Sequence, residues 1–63
     1  MPIIDIKLLE GRSLDQKRRL VAAVTGAVVD TLGVSPDSVR ITLHEMPRDN
    51  YSVAGVLALD KQG

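Results

Sequence analysis

Two short runs of alternating apolar residues, "IIDIKLL" (residues 3–9) and "VRITLHE" (residues 39–45), bracket one long helical segment. A period of two argues for strands, and the apolar stripe between them has the period of a helix. Strand, long helix and strand form a βαβ unit, so the two strands are expected to lie parallel, joined by a right-handed crossover. The first run puts Ile4, Ile6 and Leu8 on one face, with Ile3, Asp5, Lys7 and Leu9 on the other. The second sets Val39, Ile41 and Leu43 against Arg40, Thr42 and His44.

The punctuation between these runs is specific. "EGR" turns the chain, and in "SLDQ" Ser13 can cap a helix while Gln16 reaches back to complete a capping box. The helix is expected from Leu14 to about Leu32, with Leu20, Val21, Val24, Ala27, Val28 and Leu32 on its apolar stripe. Gly33 is placed to end it in a left-handed conformation. In "VSPDS", Ser35 and Pro36 suit the cap and first position of a single helical turn. "PRDN" breaks the chain, "YSVAGVLALD" suits a short extended segment or hairpin, and "KQG" reads as a frayed tail.

The totals limit how such a unit can be stable. Sixty-three residues make one domain (residues 1–63) of α+β class. A chain of this size buries only about 60% of the surface it exposes when unfolded. There is no cysteine to form disulfides, and the single histidine, His44, has no partner at metal-ligand spacing, so it reads as a surface or interface residue. One helix covers only one face of a parallel sheet, whereas such sheets are buried on both. The second face, with Arg40 and Thr42, is therefore expected at a boundary with another copy of the chain. Eight basic residues balance eight acidic ones, which leaves no field to draw the protein onto nucleic acid or an anionic membrane. The longest apolar stretch, "LVAAVTGAVV", is far shorter than a membrane span of roughly 20 residues, and no signal peptide is legible at the N-terminus. The expectation is a soluble cytoplasmic protein.

Four residues offer chemistry: Pro2, Arg12, Arg40 and Tyr51. Proline at a strand start is tolerated because a donor can be missing there. Initiator methionine before a small residue is commonly removed, and Pro2 would then carry a free secondary amine. An α-amine titrates about a unit above neutrality, so most of it is protonated and idle at pH 7. Nearby arginines and an apolar pocket both disfavour the charged form and lower its pKa, making the amine a useful general base. Arginine pairs bidentately with carboxylates and stabilises charge developing on an enolate oxygen. Tyr51, the one aromatic residue, can wall a pocket. Taken singly, each has a plainer reading as a packing or surface residue, as does the pair Arg18 and Arg19 on a solvated helix face.

Taken together, these residues carry a resemblance. "MPIIDIKLLEGRSLDQKRRLV" resembles the start of the 4-oxalocrotonate tautomerase family, whose members begin with proline and carry "LLEGR(S/T)xxQK" at this position; the likeness continues through "SVRITLHEMP" and "NYSVAG" and covers essentially the whole chain. The resemblance implies a β-α-β protomer with a C-terminal hairpin, assembled in most small members as a hexamer, a trimer of dimers. It implies a cofactor-independent, metal-free keto–enol tautomerase acting on a small carboxylate such as 2-hydroxymuconate, with Pro2 as general base. By position, Arg12 would hold the distal carboxylate, and Arg40 from a neighbouring subunit the carboxylate and oxygen at the keto end. The backbone amide of Leu9 would help position that oxygen, and Tyr51 would keep the amine's surroundings apolar.

Two departures bear on substrate fit and hairpin geometry. The best-known members have phenylalanine in place of Tyr51, and their hairpin "FGIGG" is here "YSVAG", with Ser52 and Ala54 replacing glycines. Related dehalogenases carry an additional arginine and an acidic residue where this chain has Leu9 and Val53, which argues against hydrolytic dehalogenation. The rival expectation is a non-catalytic carboxylate-binding or interaction protein on the same oligomeric scaffold. A small ribbon–helix DNA binder is a weaker one, opposed by the neutral charge and by the strand after the helix.

Overall fold

A computed structural model describes residues 1–61. Strand β1 (Ile3–Leu9) is followed by helix α1 (Leu14–Leu32), a 3₁₀ turn at Pro36–Ser38, strand β2 (Arg40–Met46) and a second 3₁₀ turn at Arg48–Asn50. Strands β3 (Ser52–Val53) and β4 (Val56–Leu57) then form an antiparallel hairpin, and Ala58–Asp60 make a last 3₁₀ turn. The expected βαβ unit with a C-terminal hairpin is present. β1 and β2 pair in parallel, from Ile3 opposite Arg40 to Leu9 opposite Met46. Gln62 and Gly63 of the expected tail lie outside the described residues.

Local hydrogen bonding explains where α1 begins and ends. The Ser13 hydroxyl accepts from the Gln16 N–H at 3.1 Å, and the Ser13 N–H donates to Gln16 Oε1 at 2.9 Å, closing the capping box. Gly33 takes the left-handed conformation, φ 69°, and its N–H donates to the Val29 carbonyl. β2 begins one residue later than its alternation suggested. The Val39 N–H closes the preceding turn on the Pro36 carbonyl at 3.1 Å, so the ladder starts at Arg40.

The helix covers one sheet face, where Ile4, Ile6, Leu8, Ile41 and Leu43 are half-buried. Its packed stripe is rotated from the expected one. Val21, Val24, Val28 and Val29 are half-buried, whereas Leu20, Ala27 and Leu32 are exposed, Leu32 by 60%. Lys17 bridges helix to sheet by pairing with Glu45.

The other sheet face is open and carries Ile3, Asp5, Lys7, Arg40, Thr42 and His44. His44 Nε2 lies 3.5 Å from Asp5 Oδ1 across it. Among the described residues no hydrophobic side chain is fully buried. The chain measures 43 × 23 × 15 Å with a radius of gyration of 14.8 Å, against about 10.6 Å for a compact domain of this length. It exposes 4843 Å², whereas a compact monomer of this mass exposes roughly 4,000 Å². A single copy is thus open, with apolar side chains exposed on the sheet, the helix flank and the hairpin.

Candidate functional site

The five residues singled out in the sequence divide into two groups at opposite ends of the β1–β2 pair. Pro2 and Arg40 sit at the start of the strands, where the Arg40 N–H donates to the Pro2 carbonyl at 3.0 Å. Leu9, Arg12 and Tyr51 sit at the far end. The six residue steps from Ile3 to Leu9 span roughly 20 Å. Arg12 follows the end of β1 and Arg40 opens β2, so the two arginines lie at opposite ends of the strand pair.

At the first end, Pro2 enters the sheet through its carbonyl and leaves its nitrogen outside the ladder. Arg40 shares the open face with Ile3, its register partner. Met1 is 75% exposed and precedes the strand. While Met1 is attached, the Pro2 nitrogen is an amide without a basic lone pair.

At the second end, two cavities meet at Leu8 and Leu9. One, of about 480 Å³, is lined by Lys7, Leu8, Leu9, Met46 and Tyr51. The other, of about 330 Å³, is lined by Leu8, Leu9, Glu10, Gly11, Arg12 and Arg48. Backbone chemistry builds this end. The Glu10 N–H donates to the Met46 carbonyl at 2.9 Å, tying the exit of β1 to that of β2. Gly11 then doubles the chain back at φ 119°, a conformation that side chains exclude. The Tyr51 carbonyl accepts from the Ala58 N–H at 2.8 Å, anchoring the base of the hairpin beside the cavity its ring lines.

The hairpin forms although two glycines of the related pattern are missing. Its tip, Ala54–Gly55, has φ of 54° and 81°, so both central residues of the two-residue turn are left-handed, as the twist of a hairpin favours. Ala54 is the one described non-glycine residue with positive φ. Ser52 lies within β3 and has no need of glycine.

Arg48 was not singled out in the sequence, where "PRDN" read only as a chain break. The available signal was its place, between a strand end and the aromatic Tyr51. Among the described residues Arg12, Arg40 and Arg48 have no carboxylate within 4 Å, while Arg19 pairs with Asp15 along the exposed helix face. Arg18 on the helix face is unpaired as well, so four guanidinium groups lack a carboxylate partner among the described residues. No group of three or more potential metal ligands occurs among the described residues, and no described helix is long and apolar enough to cross a membrane.

Comparison with known proteins shows the family. The family model for tautomerase enzymes matches residues 2–61. The 2-hydroxymuconate tautomerase of Bacillus subtilis is 47% identical over 55 residues, which cover 87% of this chain and 89% of that protein. A 4-oxalocrotonate tautomerase isozyme of Methylibium petroleiphilum superposes with a TM-score of 0.90 at 55% identity, covering 92% of this chain and 91% of its own. The heterohexameric 4-oxalocrotonate tautomerase of Chloroflexus aurantiacus superposes with a TM-score of 0.92 at 31% identity, covering 98% of this chain and all of its own. With a βαβ-hairpin protomer and a match along nearly its whole length, the chain belongs to the tautomerase family, in its 4-oxalocrotonate tautomerase-like group, and is an isomerase.

Proposed function

We propose that the protein is a cofactor-independent keto–enol tautomerase of a small unsaturated 2-hydroxy or 2-oxo diacid of the 2-hydroxymuconate type. In this reading it works as an oligomer of identical subunits, as the hexamer of small family members, with Pro2 as general base once Met1 is removed. The observation that carries the reading is the division of the candidate residues between two strand ends roughly 20 Å apart. Neither end is a complete site. Pro2 and Arg40 at one end complement Leu9, Arg12 and Tyr51 at the other only when different copies are brought together. The open sheet face, the exposed Ile3 at 68% and the exposed hairpin residues Val53 and Val56 supply apolar surface for that contact.

The chemistry follows from the groups. Arg12 holds the distal carboxylate through its planar fork and fixes the acid's orientation. The Pro2 amine takes the proton of the enol hydroxyl, or an allylic proton, and returns it to another carbon, so the reaction is an isomerisation without net gain or loss of atoms. Between the two transfers a dienolate carries negative charge, which Arg40 stabilises at the oxygen where it develops. The apolar wall around Leu9 and Tyr51, together with the cations, disfavours the protonated amine and keeps Pro2 in its basic form.

The test uses purified protein whose intact mass lacks Met1. Such protein should ketonise 2-hydroxymuconate, and Pro2→Ala should lower kcat by about 100-fold, the scale of a lost positioned base. Undiminished turnover by Pro2→Ala, or equal turnover by protein that keeps Met1, would remove Pro2 from the role of base.

A further inference from the structure

We propose that Arg48 is a substrate-binding residue that shares the distal carboxylate with Arg12 and makes the enzyme selective for diacids. This rests on the reading above of Arg12 as the distal-carboxylate ligand. Arg12 and Arg48 approach from separate segments and line one cavity of about 330 Å³. Arg12 follows the Gly11 turn after β1, while Arg48 opens the 3₁₀ turn after β2. The Glu10 N–H bond to the Met46 carbonyl, 2.9 Å, holds the exits of β1 and β2 side by side, and the Asn50 N–H bond to the Pro47 carbonyl, also 2.9 Å, closes the turn that carries Arg48.

Charge accounting points to an anion. Two guanidinium groups in one cavity repel, and neither has a carboxylate within 4 Å among the described residues. Glu10 lines the same wall, so the cavity keeps a net positive charge of one, and neither guanidinium is neutralised by direct pairing. Arg12 also borders an apolar groove with Ile6, Leu8 and Leu20, but the other cation there, Lys17, is paired with Glu45. The Arg48 cavity is thus lined by two arginines that are unpaired among the described residues. That cavity adjoins the Tyr51 cavity through Leu8 and Leu9, so a chain of a few carbons can run along the apolar wall and end between the two forks. A carboxylate has two oxygens and about four acceptor positions, enough to take both.

The experiment compares two enols whose reacting ends are alike. 2-Hydroxymuconate has a second carboxylate at its far end, whereas phenylenolpyruvate has an apolar ring. Arg48→Ala should raise KM for 2-hydroxymuconate about tenfold or more, the effect of one lost charge-assisted hydrogen bond. It should leave kcat for that substrate and kcat/KM for phenylenolpyruvate within about twofold. Arg48→Lys, which keeps the charge without the fork, should recover part of the loss. An equal loss on both enols, or no change on either, would overturn the proposal. Muconate, which cannot tautomerise, separates this proposal from the assignment of activity. Its affinity should fall about tenfold in Arg48→Ala by calorimetric titration. If the wild type ketonises neither enol, the assigned activity fails while this loss of muconate affinity would still support Arg48. Unchanged muconate affinity would overturn its role whatever the turnover.

Discussion

The hairpin tip provides a perturbation whose sign depends on one dihedral angle. Ala54 has φ 54°, and a left-handed conformation costs an L-residue with a Cβ roughly 1–2 kcal/mol. Ala54→Gly removes that cost and adds the greater backbone entropy of glycine in the unfolded chain, about 0.5–1 kcal/mol. The net expectation is a stabilisation of about 0.5–1 kcal/mol per protomer. For a domain of this size that raises Tm by about 3–6 °C. Ser52→Gly introduces the other glycine of the related pattern, but Ser52 pairs with Leu57 within β3 and has no positive φ. Only the entropic cost then applies, and Tm should fall by about the same amount. Gly55→Ala, at φ 81° with open space around the added Cβ, should also lower Tm, because backbone strain acts without a steric clash. The assay is a thermal melt followed by circular dichroism at one fixed protomer concentration, since association makes Tm concentration-dependent. If Ala54→Gly and Ser52→Gly shift Tm in the same direction, the left-handed Ala54 is not what limits the hairpin.

Two further outcomes test the division of the site between strand ends. Arg12→Ala should mainly raise KM for diacids, whereas Arg40→Ala should lower kcat as well; equal and negligible effects in steady-state assays would reject both roles. Ile3→Asp changes a residue 68% exposed in the single chain, where a surface substitution ordinarily shifts stability by no more than about 0.5 kcal/mol. If the open face meets another copy, that variant should sediment as smaller species and lose turnover together. Unchanged sedimentation would show that Ile3 lies outside the contact.

Much of the protomer was legible because its signals are local. Ser13 and Gln16 close a ring within four residues, Gly33 ends the helix through its own dihedral angles, and the alternation of β1 is set by neighbouring residues. The 19-residue helix between the strands also made a parallel pairing the expected topology. The errors arose where a local pattern competed with another bond. Val39 continues the alternation of β2 but spends its N–H on Pro36. Leu20 and Leu32 fit a helical stripe, yet the sheet below is only two strands wide and covers Val21, Val24 and Val28 instead.

The order and kind of the elements, the uncovered sheet face and the family are readable from the residues alone, because they follow from periodicity, capping chemistry and the residue types present. Which of those residues meet depends on how the strands pair. Parallel pairing puts both strand starts at one end, so Pro2 and Arg40 are separated by the strand length from Leu9, Arg12 and Tyr51. The same pairing brings the turns after β1 and β2 together and sets Arg48 beside Arg12, 36 positions apart in the chain. No local pattern encodes that proximity, because it depends on the register of two strands and on the bond between Glu10 and Met46.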